Sequence, residues 1–395
     1  MNSHALDGIT VLDLGQIYNG PYCSLILSYL GADVTKIEPP DGEPLRSRVD
    51  DGEPPEFIML NSSKKGVTLN LKEDRGQALF KELVADTDVV VENFSVGTME
   101  RLGLGYDELS EINPELIYAH GSGFGEEGPY SDYPAMDLTI QAMGGVMSCT
   151  GFEDSPPVKA GIAVSDFVGG IHLATGVLSA LYQREQTGEG QFVEVSMHDA
   201  IFPTLTSPLS AQYSDEEMPR RTGNRHNGLG HCPYNVYESA NGHIAIFCVT
   251  NDHWTSLLKA MGRDELLGDP RFETNYKRTQ HMETVDGILQ EWTKERTRDS
   301  IRETLLDAGV PCGPVKKIEE VADDPHLRER EMIVDVDHPE FGEISVFGTP
   351  IRLSESDDPD VEPSPTKGGN NEEVFRDELH LSEAEFEQLK RDEII

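Results

Sequence analysis

Basic residues are scarce. The 395-residue chain carries 32 Lys and Arg against 72 Asp and Glu, a formal net charge of −40. Nothing in it resembles the basic stripe that would replace the counterions of a nucleic acid. Cysteine is sparse as well. Cys23, Cys149, Cys232, Cys248 and Cys312 are scattered, odd in number and without C-x-x-C spacing, which fits reduced thiols and speaks against a disulfide frame or a metal site. No run approaches the roughly 18 to 20 consecutive apolar residues of a membrane span. The opening, MNSHALDGITVLDLG, lacks a basic n-region followed by an apolar h-region, so a cytoplasmic location is expected, with neither membrane nor nucleic acid as partner.

Two missing fingerprints narrow the chemistry further. The first βα loop, Leu14-Gly15-Gln16-Ile17-Tyr18-Asn19-Gly20-Pro21, is not G-x-G-x-x-G. Glu38, spaced like the acid that holds a dinucleotide ribose, therefore stands without its glycines. Gly121-Ser122-Gly123 is too short for the G-x-S-x-G elbow of a serine hydrolase. What is abundant is acid. Asp and Glu are interleaved with ordinary core patterns rather than gathered in blocks, as on a folded protein adapted to molar salt, where the Debye length falls to about 3 Å.

The organisation is α/β. Residues 8–14 form an apolar run, Pro21–Leu30 a helical stretch and Val34–Ile37 a second run, which together make a βαβ unit. Val67–Leu71 reads as a strand, Arg75–Ala85 as a helix and Asp88–Glu92 as a buried strand. Ile117–Ala119 opens into the glycine-rich loop 121–125. Alternating strands and helices imply a mostly parallel sheet covered on both faces. Apolar residues at helical spacing from Phe167 to Leu181 predict a long helix starting at or just after Asp166. Gly242–Cys248 reads as a strand and Trp254–Met261, Thr284–Thr293 and Arg298–Ala308 as helices of a smaller domain. Pro339–Pro350 reads as a returning hairpin, and Leu381–Lys390 as a helix opening on the capping box Ser382-x-x-Glu385. The expected division is a large domain over 1–215, a small one over 216–330 and a return to the large domain over 331–395.

Among 72 carboxylates, position must single one out. Asp166 follows the almost uncharged stretch 158–165 and heads an apolar helix, where the helix dipole favours its anion. It reads either as a plain N-cap or as a nucleophile that forms a covalent acyl intermediate. His172, His198 and His231 are better read as core or surface residues than as bases. Lys36, Arg46, Arg48, Lys64, Lys65, Lys72 and Arg101 all fall in the first α/β region, as a clustered phosphate ligand would require.

A series of collinear motifs then carries a resemblance. Leu6-Asp7-Gly8-Ile9-x-Val11-Leu12-Asp13, Gly20-Pro21, Leu30-Gly31-Ala32-Asp33-Val34-x-Lys36-Ile37-Glu38, Asn61-x-x-Lys64-Lys65 and Val91-Glu92-Asn93-Phe94 follow one another, as do Arg101-x-Gly103, Gly161-x-x-x-x-Asp166, Thr187-Gly188-x-Gly190-Gln191 and Gly309-x-Pro311-x-Gly313-Pro314. From residue 6 to about 350 the chain resembles the class III CoA-transferases of the CaiB/BaiF family. The resemblance implies a Rossmann-like large domain plus a smaller α/β domain, in a homodimer whose ring-like chains interlock. It implies that Asp166 is the catalytic aspartate, working through a mixed anhydride and an aspartyl-CoA thioester. Coenzyme A thioester is then a substrate, and no cofactor is bound permanently.

Carried over position by position, the resemblance puts CoA contacts at Tyr18, Asn19, Leu69, Lys72, Asn93, Phe94, Ser95, Arg101, Ala135, Met136 and Asp137. It puts a glycine-rich lid at Arg225–Gly230, with Gly228 and Gly230. Pro39 stands where the formyl-CoA transferases carry an arginine, and Gln16-Ile17-Tyr18 where they carry His-Val-Gln, which points away from oxalate. Succinyl-CoA as donor and mesaconate or another C4/C5 dicarboxylate as acceptor fit instead, the distal carboxylate falling to Arg46, Arg48, Arg221 or Arg225. The alternatives are an acyl-CoA racemase of the same fold, with His120 or His172 as base, and a non-catalytic CoA-binding subunit.

Overall fold

The structure is a computed structural model that describes residues 4–49, 53–213, 219 and 221–395. It divides into two compact units, one of Met1–Met143, Gly161–Phe202 and Asp324–Ile395, the other of Gly144–Ala160 and Pro203–Asp323. The boundary expected at 215/216 lies outside the described residues.

The first unit is built on six strands: β1 (Thr10–Asp13), β2 (Asp33–Glu38), β3 (Lys65–Thr68), β4 (Val89–Glu92), β5 (Ile117–Ser122) and β6 (Gln191–Ser196). All pair in parallel, in the order β3-β2-β1-β4-β5-β6, the doubly wound arrangement that puts a switch point between β1 and β4. Alternation along each strand sends side chains to opposite faces. On one face Val11, Val34, Val89, Val91, Ile117 and Ala119 pack under α1 (Asn19–Tyr29). On the other, Leu12, Ile37, Val67, Val90 and Tyr118 pack under α2 (Asp74–Val84) and the C-terminal helix Glu383–Arg391. That last helix has both bonds of its expected Ser382–Glu385 capping box.

The long helix, α3 (Val164–Thr187), begins two residues before the sequence suggests. Its N-cap is Ala163, so Asp166 is the third helical residue and the N-cap reading fails. The reason lies elsewhere in the chain: Asp137 Oδ1 accepts the Ser165 N–H at 2.9 Å, doing from outside what a local cap would do. By length and composition alone α3 could cross a bilayer. The sequence reading missed this because Gly, Ala, Ser and Thr interrupt its larger apolar residues. Leu173, Ala174, Val177, Ala180 and Leu181 pack instead on the same sheet face as α1.

Residues from Asp324 onward return to this unit. The hairpin of Ile333–His338 and Gly342–Phe347 starts earlier than expected. Farther on, Asn370 and Asn371 side chains accept the Gly66 and Thr68 N–H groups at 2.9 and 2.8 Å, closing part of the open edge of β3. The second unit holds a three-stranded sheet of β7 (Tyr234–Ser239), β8 (Gly242–Phe247) and β9 (Cys312–Pro314), all antiparallel. Trp254, Leu257, Val285, Leu289, Ile301 and Leu305 cover it.

Beneath the first unit's βα loops lies a buried ion pair. Lys64 Nζ donates to Asp13 Oδ2 at 2.9 Å, and both side chains are 0% exposed. Burial alone would push the Asp13 carboxyl up, but Lys64 and Lys36 hold it below its ordinary value. Burial draws the Lys64 ammonium down to about 8 against the pull of Asp13. Replacing one partner leaves the other buried and unpaired. Lys64→Met is therefore expected to lower the unfolding free energy by about 3–5 kcal/mol in urea titrations; a loss below about 1 kcal/mol would show that the pair carries little of this unit's stability.

Candidate functional site

A cavity of about 460 Å³ opens where the carboxyl ends of β1, β4 and β5 meet, where doubly wound sheets bind ligands. Its wall comes from Gln16, Ile17 and Asn19 after β1, Asn93–Val96 after β4, Gly121–Phe124 at the end of β5, and Asp137 and Asp166. The loop after β1 is held atom by atom. Gly15 N–H donates to Asp13 Oδ1 at 2.7 Å, Gln16 N–H to Asn93 Oδ1 at 2.7 Å and Ile17 N–H to Glu43 Oε2 at 3.2 Å. Lys36 Nζ and Asn93 Nδ2 in turn donate to the Gly15 and Gln16 carbonyls at 2.7 and 3.0 Å. These bonds keep Ile17, a β-branched residue, at φ +64°, a conformation such a residue keeps only when its surroundings impose it.

Asp166 reaches the cavity from the first turn of α3 and is 9% exposed. Burial and the nearby Asp137 carboxylate raise its pKa to about 7, with Arg48 pulling the other way. A carboxylate so placed is poorly solvated, and a strongly perturbed carboxyl in a cleft marks a candidate functional group.

The model of CoA-transferase family III matches residues 6–371. The chain belongs to that family. It is 38% identical over 414 residues to the formyl-CoA:oxalate CoA-transferase of Streptomyces coelicolor, covering 100% of each chain. It is 40% identical over 365 residues to the succinyl-CoA:mesaconate CoA-transferase of Haloarcula hispanica, covering 89% of this chain and 91% of that one. A CaiB/BaiF family protein from Brucella suis has a solved structure that matches with a TM-score of 0.84 at 33% identity, covering 96% of this chain and 100% of the other. The protein is thus a family III CoA-transferase, and acyl-CoA thioesters and carboxylates are the substrates such enzymes take.

Of the positions expected to touch CoA, Asn19, Asn93, Phe94, Ser95, Ala135, Met136 and Asp137 share the cavity with Asp166. Tyr18 lies beside it, its ring stacked on Phe167 at 6.0 Å. Arg101 donates to the hydroxyl of Thr98, a cavity residue, at 2.9 Å. Lys72 is exposed outside the cavity lining. Leu69 is buried in the core on the α2 side of the sheet, which leaves its side chain nothing to offer a ligand.

The arginines separate cleanly. Arg46 is spent on Glu38, in a two-pronged pair at 2.7 and 2.8 Å, and on Glu53. Arg221 and Arg225 belong to the second unit. There Arg221 donates to the carbonyls of Phe152, Glu153 and Ser155, and Arg225 pairs with Glu283 and Asp286 at 2.9 and 2.6 Å. Arg48, the other arginine of the first unit, has no acidic partner among the described residues; its Nη1 donates to Tyr18 Oη at 3.0 Å. In the expected lid segment of the second unit, Gly228 N–H donates to His226 Nδ1 at 3.1 Å and Asn275 Nδ2 to the Gly230 carbonyl at 2.7 Å.

His120 is buried, with Nδ1 2.8 Å from Glu126 Oε1 and Nε2 3.2 Å from the Phe94 carbonyl. Burial opposes its charge, but Glu126 and Glu92 prevail and raise its pKa to about 9. Both nitrogens being occupied, it has no lone pair to offer as a base. His172 is exposed on α3, its Nδ1 2.8 Å from the Val168 carbonyl. Sequence reasoning missed Asp137 as the cap of α3 and Asp166's charged neighbour, since only folding brings the two together.

A raised carboxyl pKa also fixes a stability trend. The folded value of about 7 lies above an aspartate's ordinary 3.8, so the unfolded chain ionises first and Asp166 weakens folding increasingly as pH rises from about 4 to 7. Asp166→Asn is therefore expected to raise the melting temperature by a few degrees at pH 8 and by almost nothing at pH 4, as scanning calorimetry at both values would register. An equal effect at both would refute the buried, uncompensated carboxylate.

Proposed function

We propose that this family III enzyme moves CoA from succinyl-CoA to a small carboxylic acid of the C4/C5 dicarboxylate class, mesaconate being one example, with Asp166 as nucleophile. The observation that carries the reading is Asp166 itself, a buried carboxylate with raised pKa facing a cavity at the switch point. One Asp166 oxygen attacks the thioester carbonyl; the C–S bond breaks, leaving a mixed anhydride and the CoA thiolate. The thiolate attacks the aspartyl carbonyl of the anhydride, releasing succinate and forming an aspartyl-CoA thioester. The acceptor carboxylate then attacks that thioester, and the expelled thiolate takes the acceptor's acyl group, restoring the Asp166 carboxylate. Each intermediate is an activated acyl group, so exclusion of water decides between transfer and hydrolysis.

Arg48 supports the dicarboxylate part of the reading. Its charge is felt at Asp166, it has no acidic partner among the described residues, and Tyr18 beside it stacks on Phe167, the residue after Asp166. A guanidinium is suited to a second carboxylate at the far end of a short acyl chain. The acid-rich composition supports an enzyme at work in molar salt. Exposed Ile162, Ile171 and Tyr182 support burial against a second copy in a homodimer.

The test is mass spectrometry of protein and CoA pool after incubation with succinyl-CoA and a panel of carboxylic acids in molar KCl. Wild type is expected to form a new thioester and a CoA-bearing protein species, and Asp166→Ala neither. Equal turnover by the alanine variant would end this assignment. Since the attacking form is the carboxylate, kcat/KM is expected to climb with pH through about 7 and level off above it.

Arg48→Met is expected to raise KM for succinyl-CoA about 10- to 100-fold. It is expected to change KM for acetyl-CoA less than twofold. Parallel losses for both donors would remove Arg48 from substrate selection.

A further inference from the structure

We propose that Asn19 is a positioning residue for Asp166, wedged under the first turn of α3 in a space that Gly121, Gly169 and Gly170 keep open. The proposal rests on the reading of Asp166 as the reacting group and assigns Asn19 a task other than touching CoA.

Asn19 is the first residue of α1 and is 2% exposed. Its Nδ2 donates to the Asp166 main-chain carbonyl at 3.2 Å, tying the start of one helix to the start of the other. The opposite amide orientation would set Oδ1 against that carbonyl, two acceptors face to face. In the orientation observed, Oδ1 is buried with no hydrogen-bond partner. An unpartnered buried amide oxygen is an unfavourable choice for packing alone.

The glycines explain how the wedge fits. A Cβ at position 169 would lie 2.4 Å from Asn19 Nδ2, one at 121 would lie 2.2 Å from Asn19 Oδ1, and one at 170 would lie 2.7 Å from the Asn19 carbonyl oxygen. None of the three has the left-handed backbone that by itself calls for glycine. Space, not conformation, selects them. Gly169 and Gly170 are adjacent within α3, where glycine weakens a helix relative to alanine. The chain thus accepts a weakened helix beside its nucleophile and a polar atom left unbonded, and what it obtains is a fixed Asp166 backbone at the cavity wall. Holding an attacking group in place acts on the chemical step more than on binding.

The test is a double-mutant cycle in the full-length enzyme. Asn19→Ala is expected to lower kcat about tenfold while KM for the acyl-CoA stays within twofold and the melting temperature within 2 °C. Gly169→Ala alone, which forces the new methyl against Asn19, is expected to lower both kcat and melting temperature. In Asn19→Ala/Gly169→Ala the methyl occupies the vacated space, so the melting temperature is expected to return to the wild-type value and kcat to that of Asn19→Ala. Unchanged kcat in Asn19→Ala, or strictly additive melting temperatures, would overturn the proposal. If wild type transfers no CoA at all, the functional reading fails instead, while the melting temperatures still report whether the wedge exists.

Discussion

The buried Lys64–Asp13 pair is the constraint on which the site rests. Asp13 ends β1, and its two oxygens are divided between tasks: Oδ1 takes the Gly15 N–H, and Oδ2 takes Lys64 and the Ser24 hydroxyl of α1. The same carboxylate thus aims the loop after β1 and seats the helix that follows. Lys64 adds bonds to the Pro21 carbonyl and Asn61, so the segment before β3 is drawn beneath the same loop. Ion pairs removed from water are poor stabilisers compared with apolar packing. Their value here is directional, because charge-assisted bonds leave the loop's N–H and carbonyl groups one arrangement.

That arrangement leaves neither the Gln16 nor the Ile17 N–H free for a ligand in the cavity, since they are already bonded to Asn93 and Glu43. Asp166 meets it in poor solvent and beside a second carboxylate that also caps its helix. Asp137 therefore acts in two directions. It starts α3 two residues early, and it makes ionised Asp166 less comfortable. A carboxylate kept reluctant to hold its charge is a better nucleophile than a fully solvated one of the same geometry, and a less stable element of the fold.

The resemblance read from collinear motifs and the family match cover nearly the same span, to about residue 350 and to 371 respectively. The motifs succeed because they are local. Gly20-Pro21, Gly161-x-x-x-x-Asp166 and Thr187-Gly188-x-Gly190-Gln191 sit at strand ends and helix ends, where spacing along the chain translates directly into position. A contact carried over singly does not say which way the side chain points. Leu69 occupies a fitting position, yet its side chain points into the core, because the strand's alternation decides the direction of a side chain and a motif does not.

What the sequence by itself determined is periodic or cumulative: a doubly wound sheet from alternating apolar runs, an acidic surface from composition, an apolar helix with one carboxylate at its head. These depend on order along the chain. What only the tertiary structure decided is pairing. Four arginines look alike in sequence, but Arg46 meets Glu38 and Glu53, Arg225 meets Asp286, Arg221 meets backbone carbonyls, and Arg48 meets a tyrosine hydroxyl. His120 looks like a base until Glu126 and Phe94 take both its nitrogens, and Asn19 looks like a loop residue until three glycines close around it. Partners such as these are remote in sequence, and a long side chain has many it could reach. Which one it keeps is settled by closure of the fold, through burial that penalises every polar group left unpaired.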